Sequence, residues 1–164
     1  MAIRPIITKE DPVLSKVCHA VTKFDDKLAA LLDDMKDTLE QANGVGLAAP
    51  QVGILRRVVL VVNDEGEMVE LVNPEILEQE GEQDGLEGCL SVPGMWGYVK
   101  RPQWVKVKAQ DRNGNWFEVE GEDLTARCFC HELAHLDGHL YTELCDQLYT
   151  NDDLEKMFEE EGEE

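Results

Sequence analysis

His131 and His135 stand four residues apart, and Glu132 directly follows the first of them. On a helix this spacing turns both imidazoles to one side, where they can reach a single metal ion. Glu132 then sits where it can reach a water held by that ion. The pattern His-Glu-x-x-His is the arrangement of metal hydrolases. Two histidines need a third protein ligand, and its identity separates the readings. In the extended pattern a third histidine stands three places after a glycine. Here that place is Tyr141 and His139 follows Gly138 directly, so that subclass is excluded. Glu155 would give a metalloprotease-like site, but its segment is short and highly charged, a poor support for a ligand. Cys89 lies in Glu87-Gly88-Cys89-Leu90-Ser91, a glycine-containing turn that could aim a thiolate at the helix. A further alternative is a closed structural metal module of Cys89, Cys128, His131 and His135, which gives Glu132 and Gln51 no role.

The helix that must carry these residues is expected from about Asp123 to Asp137, with Gly138 as its stop. Leu124, Cys128, His131 and His135 share one of its faces, at steps of four, three and four. An earlier helix is expected from Asp25 to Ala42, because Leu28, Leu31, Leu32, Met35 and Leu39 make one apolar stripe. Asn43-Gly44 ends it. The stretch Val45–Gly53 has neither helical nor strand period and reads as a tight loop. From Arg57 to Glu120 the period is mostly two. Strands are expected at Val58–Val62, Met68–Val72, Ile76–Glu80, Val105–Gln110 and Trp116–Glu120, with a hairpin turn at Asp111–Gly114. No repeat or linker interrupts this order. The expectation is one α+β domain over residues 1–149, with mixed, mostly antiparallel sheets around a central metal-binding helix and an N-terminal amphipathic helix. An acidic C-terminal tail follows over 150–164, either a single amphipathic turn through Leu154, Met157 and Phe158 or unstructured.

Composition narrows the classes further. The chain has 164 residues, 43% hydrophobic and 30% charged, within the range of one soluble globular domain. Its net charge of −20 argues against direct binding to nucleic acid or anionic lipid. No apolar run is long enough to span a membrane or to act as an export signal, so the cytoplasm is the expected location. Five cysteines at irregular spacing, without an export signal, point to metal ligands or thiols rather than a disulfide framework.

Three motifs in order carry a family resemblance. Gly44-Val45-Gly46-Leu47-Ala48-Ala49-Pro50-Gln51 matches GxGxAAxQ, Glu87–Ser91 matches EGCxS, and His131–His135 matches HExxH. In this order and at these separations the chain resembles the peptide deformylases, and the resemblance covers nearly its whole length. The resemblance implies Cys89, His131 and His135 as ligands of one divalent metal ion, with water at the fourth position. Fe(II) is the implied ion, and zinc, nickel or cobalt could replace it. It implies Glu132 as general base and acid, and the Gln51 amide with the Leu90 backbone N–H as donors to the developing oxyanion. The implied reaction removes the N-formyl group from formyl-methionyl nascent peptides and releases formate.

For the methionine side chain, Leu124 and Cys128 could line a pocket, helped by Val45 and the aliphatic stem of Arg127. By the same analogy, the backbone at Val45, Gly46 and Gly88 would bind the peptide as an added strand. Two positions depart from the family. Ala134 stands where Asp is usual, and Cys130 where Gln is common. The missing carboxylate leaves a cation such as Arg101 to pair elsewhere. Glu87 is therefore expected to be buried, pairing with Arg101 or orienting a ligand imidazole. Many relatives end in a basic helix that contacts the ribosome. Residues 152–164 here hold eight acidic side chains and one lysine, so ribosome docking through this tail is not expected.

Overall fold

The first helix begins where Asp25 accepts a hydrogen bond from the Leu28 N–H at 3.1 Å, which satisfies an otherwise orphaned donor. In the computed structural model, which describes residues 2–162, this helix α1 runs over Asp26–Ala42. Asn43 ends it in the left-handed conformation, φ 54°. The apolar stripe expected of it is its buried face: Leu28, Leu31, Leu32, Met35 and Leu39.

That face packs on a five-stranded antiparallel sheet. The sheet contains β1 (Gly46–Ala48), β2 (Val58–Val62), β3 (Met68–Glu80), β6 (Trp104–Gln110) and β7 (Trp116–Glu122), in the order β1-β2-β3-β6-β7. A second helix, α2 (Leu124–Leu136), covers the other face. Strand β2 lies between the two helices and is apolar at every position for that reason. Val58 and Leu60 face α1, while Val59 and Val61 join Ala126, Phe129, Leu133 and Leu136 of α2. A separate antiparallel sheet, β4 (Gln83–Cys89), β5 (Val92–Arg101) and β8 (Tyr149–Thr150), lies in the order β4-β5-β8. The described residues thus make a mixed fold of three α-helices and antiparallel sheets.

Several expectations need correction. The stretch Val45–Gly53, expected as a loop, holds β1, paired with Val59–Val61, and a 3-10 turn over Ala49–Val52. Three residues are too few to show a strand period. The strands expected at Met68–Val72 and Ile76–Glu80 are one strand, β3, with a register shift between Val72 and Glu75. Pro74 cannot donate to the ladder there. Asn73, at φ 51°, sustains the irregularity through bonds to both backbone polar groups of Val21 and to Gln110 Oε1. The hairpin β4–β5 was not expected, because Gly85, Gly88, Gly94 and Gly97 interrupt its apolar alternation. The acidic C-terminal segment forms a helix, α3 (Asn151–Gly162). A capping box starts it. The Thr150 N–H donates to Asp153 Oδ2 at 3.0 Å, and the Asp153 N–H donates to Thr150 Oγ1 at 3.1 Å. Glu163 and Glu164 of that expected tail lie outside the described residues.

Helix α2 is buried along nearly all its length, so its ends need internal partners. At its C-terminus the Gly138 N–H donates to the His135 carbonyl, and the His139 N–H to the Ala134 carbonyl. Gly138 has φ 82°, and a Cβ there would sit 2.6 Å from the Ser15 carbonyl oxygen. Leu32, fully buried where α1 meets the sheet, tests the packing. Leu32→Ala is expected to cost about 2–5 kcal/mol, read as a lower midpoint in urea unfolding.

Candidate metal centre

Three segments converge on α2 to make the site. Strand β4 and its turn bring Glu87, Gly88, Cys89 and Leu90. Strand β1 brings Gly46, and the 3-10 turn after it brings Gln51. Helix α2 brings Leu124, Arg127, Cys128, His131, Glu132 and His135. Cys89, His131 and His135 each offer a ligand atom, and the three atoms lie within 4.8 Å of one another. Cys89 Sγ is 3.4 Å from His135 Nε2. Among the described residues this is the single group of three or more Cys, His, Asp or Glu side chains so clustered. Glu155, the alternative third ligand, is exposed on α3 and has no place in it. Cys128, the fourth ligand of a closed module, also stands outside the cluster.

A cavity of about 500 Å³ opens onto the cluster. All six pocket residues expected from the sequence line it: Val45, Gly46, Gly88, Leu124, Arg127 and Cys128. Leu124 is 54% exposed, so it forms the rim and not the core. Leu90, Gln51 and Glu132 also line the cavity. Gln51 is fixed at both ends of its amide. Its Oε1 accepts from the Ala48 N–H at 2.9 Å, and its Nε2 donates to Ser91 Oγ at 3.0 Å, with Cys89 Sγ at 3.5 Å. Glu132 is 4% exposed, and its Oε1 has no hydrogen-bond partner among the described residues. Its other carboxylate oxygen presses on Gly46, where a Cβ would lie 2.9 Å from the Glu132 carboxyl carbon. Gly46 is thus the residue that leaves room for the carboxylate.

Glu87 is buried and contacts both Arg101 and the His131 imidazole. It accepts from Arg101 Nε and Nη2, each at 2.8 Å, and its Oε1 lies 2.8 Å from His131 Nδ1. That contact occupies Nδ1 of His131 and leaves Nε2 for the Cys89 side. Sequence reasoning missed a third partner. Arg127 contributes more than an aliphatic stem: its buried guanidinium donates to Glu87 Oε2 at 2.7 Å and to the Val99 carbonyl at 2.8 Å. The available signal was an arginine on the apolar face of a buried helix, which demands a counter-ion. Ala134 is half-buried, and Arg101 finds its carboxylate in Glu87.

The electrostatics follow from this packing. Burial alone would raise the Glu87 carboxyl, but Arg101 and His131 outweigh it and hold the group down to about 2. Glu132 is pushed up to about 7, chiefly by burial, with Glu87 adding to the rise and His131 and Arg101 opposing it. Burial drives the His135 imidazole down to about 3, helped by His131 and Arg101, which keeps it neutral and able to donate a lone pair. His131 goes the other way, to about 10, because the anionic character of Glu132, Cys89 and Glu87 overcomes its burial.

Comparison with known proteins agrees on one family. A family model described as Polypeptide deformylase matches residues 3–151. A protein named peptide deformylase from Agathobacter rectalis is 57% identical over 143 residues, which is 87% of this chain and 90% of that protein. Peptide deformylase 1 of Bacillus subtilis is 48% identical over 158 residues, 96% of this chain and 99% of that one. The crystal structure of peptide deformylase from Thermotoga maritima superposes with a TM-score of 0.85 at 39% identity, covering 90% of this chain and 100% of that chain.

The Glu87 cluster generates a direct test. Glu87→Gln leaves two buried guanidiniums facing a neutral amide. It is expected to lower stability by about 3–5 kcal/mol, measured by denaturant unfolding.

Proposed function

The chain belongs to the polypeptide deformylase family, and on that premise we propose how its own residues carry the reaction. The protein is a hydrolase that removes N-formyl groups from nascent peptides. The observation that carries the residue-level reading is the meeting of Cys89, His131 and His135 beside the unpartnered Glu132 carboxylate oxygen, in one cavity.

The donor set fits a divalent ion. A thiolate and two imidazole nitrogens face a common point, and the His131 ring is oriented from behind by Glu87. We assign Cys89, His131 and His135 as the ligands. Fe(II) is the working ion by family resemblance, and the same donors suit zinc, nickel and cobalt. When bound, the ion supplies Lewis acidity, polarising the formyl carbonyl and making a nearby water more acidic. Glu132 accepts the proton as the water oxygen attacks the formyl carbon. It then delivers that proton to the amine nitrogen as the C–N bond breaks, so formate and a free amino terminus leave. Burial favours the protonated carboxyl between these two steps. The Gln51 amide and the Leu90 N–H stabilise the developing oxyanion. The anchoring of Gln51 through Ala48 and Ser91 supports this role, since a donor fixed in advance costs no reorganisation.

The peptide lies as an added strand along Val45, Gly46 and Gly88. Strand β1 is the edge of the five-stranded sheet and β4 the edge of the three-stranded one, and residues at both edges line the cavity. The formyl-methionine side chain enters among Leu124, Arg127 and Cys128. Residues 1–149 form the catalytic unit in this reading. The acidic tail, 150–164, has the wrong sign for docking to ribosomal RNA. Among the described residues no helix is long and apolar enough to cross a membrane, and we place the protein in the cytoplasm.

Formate release from formyl-Met-Ala-Ser by Fe(II)-loaded protein tests the general base. Glu132→Gln is expected to lose about 10²–10⁴-fold in kcat, and equal rates in both proteins would remove Glu132 from the mechanism. Metal content after loading and dialysis tests the ligand set. Cys89→Ala is expected to lose its metal and Glu155→Ala to keep a full equivalent; the opposite result would favour the metalloprotease reading.

A further inference from the structure

The cavity wall has a weak place in its own sheet. Along the β4–β5 hairpin, Glu87 pairs with Gly97 and Cys89 pairs with Val92. Between those pairs β4 contributes one residue, Gly88, while β5 contributes four, Pro93 to Trp96. These four bulge away from β4 and line the cavity. Gly94 takes φ 76°, which lets the chain turn there. The Trp96 ring folds back over Gly88, where a Cβ would stand 2.5 Å from Cζ3. The wall beside the metal ligand Cys89 therefore owes nothing to pairing with β4.

It is held from the other side, by the chain that follows α2. Thr150 pairs with Met95 and Tyr149 with Trp96. The Tyr149 ring meets Tyr98 edge-on at 6.1 Å. Two side-chain bonds fix the bulge itself. The Tyr141 hydroxyl donates to the Met95 carbonyl at 2.9 Å, and the Trp96 indole N–H donates to Asn151 Oδ1 at 2.7 Å. Tyr141 is 2% exposed, and its ring stacks on the His131 imidazole at 5.8 Å. Cys145 fills the space over Gly97, where a Cβ would fall 2.6 Å from its Sγ. The segment from Tyr141 to Asn151 thus lies along the back of the pocket wall.

We propose that Tyr141 and Asn151 are positioning residues that set the side-chain selectivity of the cavity, by bracing the Pro93–Trp96 bulge from behind. The inference rests on the deformylase reading and adds to it a structural source of substrate choice. Loss of either bond removes one of the restraints that tie the bulge to the chain behind it and loosens the wall locally. A wall that moves binds the preferred side chain less tightly and discriminates less against others.

The experiment uses the Fe(II)-loaded full chain with formyl-Met-Ala-Ser and formyl-Leu-Ala-Ser. Tyr141→Phe removes one bond and keeps the ring, and Asn151→Ala removes the other together with its side-chain amide. For each, KM for the formyl-Met peptide is expected to rise about 3–10-fold, more than kcat falls, with a narrowed formyl-Met to formyl-Leu ratio of kcat/KM. Asn151→Asp retains an acceptor for the indole and is expected to restore the wild-type ratio. If both removals lower the thermal midpoint but leave KM and the ratio unchanged, the brace is structural only and the proposal fails. If the wild-type chain releases formate from neither peptide, the deformylase reading fails first, and the proposal with it.

Discussion

One buried carboxylate governs the arrangement of this molecule. Glu87 sits at 5% exposure with two guanidiniums and an imidazole on its two oxygens. Its partners come from different elements: Arg101 from the end of β5, Arg127 and His131 from α2. Burying any of these charges alone would be costly, so each enforces the presence of the others. The consequence is geometric. The small sheet cannot shift along α2 without separating Glu87 from Arg127 and His131, and Cys89 stands two residues beyond Glu87 on the same strand. The distance from Cys89 Sγ to the imidazoles is thus set by an ion-pair network one step removed from them.

The larger sheet supplies the rigid floor for this network. Strand β2 carries apolar side chains on both faces because α1 and α2 cover both. Helix α2 is therefore gripped along its length, which lets it carry Arg127, His131, Glu132 and His135 in a region that otherwise admits apolar groups. A helix so placed fixes side-chain directions closely, since each χ angle is limited by packing. The two sheets leave their edges, β1 and β4, on either side of the cavity, and an extended peptide could complete either ladder. The same edges would be a liability if flat and exposed. Here β1 is three residues long and β4 is interrupted by glycines, which limits pairing with other chains.

The glycines near the site have separate tasks. Gly46 admits the Glu132 carboxylate, and Gly88 admits the Trp96 ring. Each removes a side chain at a point where a buried carboxylate or a wall-forming ring must come close to backbone. They also weaken the periodic signal of the segments they occupy. This is why the β4–β5 hairpin and the short strand β1 were hidden from pattern reading, whereas β2, β6 and both long helices were not.

Local spacing was enough to locate His131, Glu132 and His135 on one helix, to place α1 within a residue of its true start, and to single out Cys89 and Gln51 through motif resemblance. Those features depend on neighbours along the chain, so the chain order records them. The partners of Glu87, the seating of Arg127 as a counter-ion, the join of β3 across Asn73 and Pro74, and the packing of Tyr141 to Asn151 against β5 depend on residues from 14 to 55 positions apart. Contacts at such separation leave no period in the sequence. They are decided when burial brings distant polar groups together and each must find a partner there. The pair of histidines was therefore written in the sequence, and the surroundings that make it a site were settled by the tertiary fold.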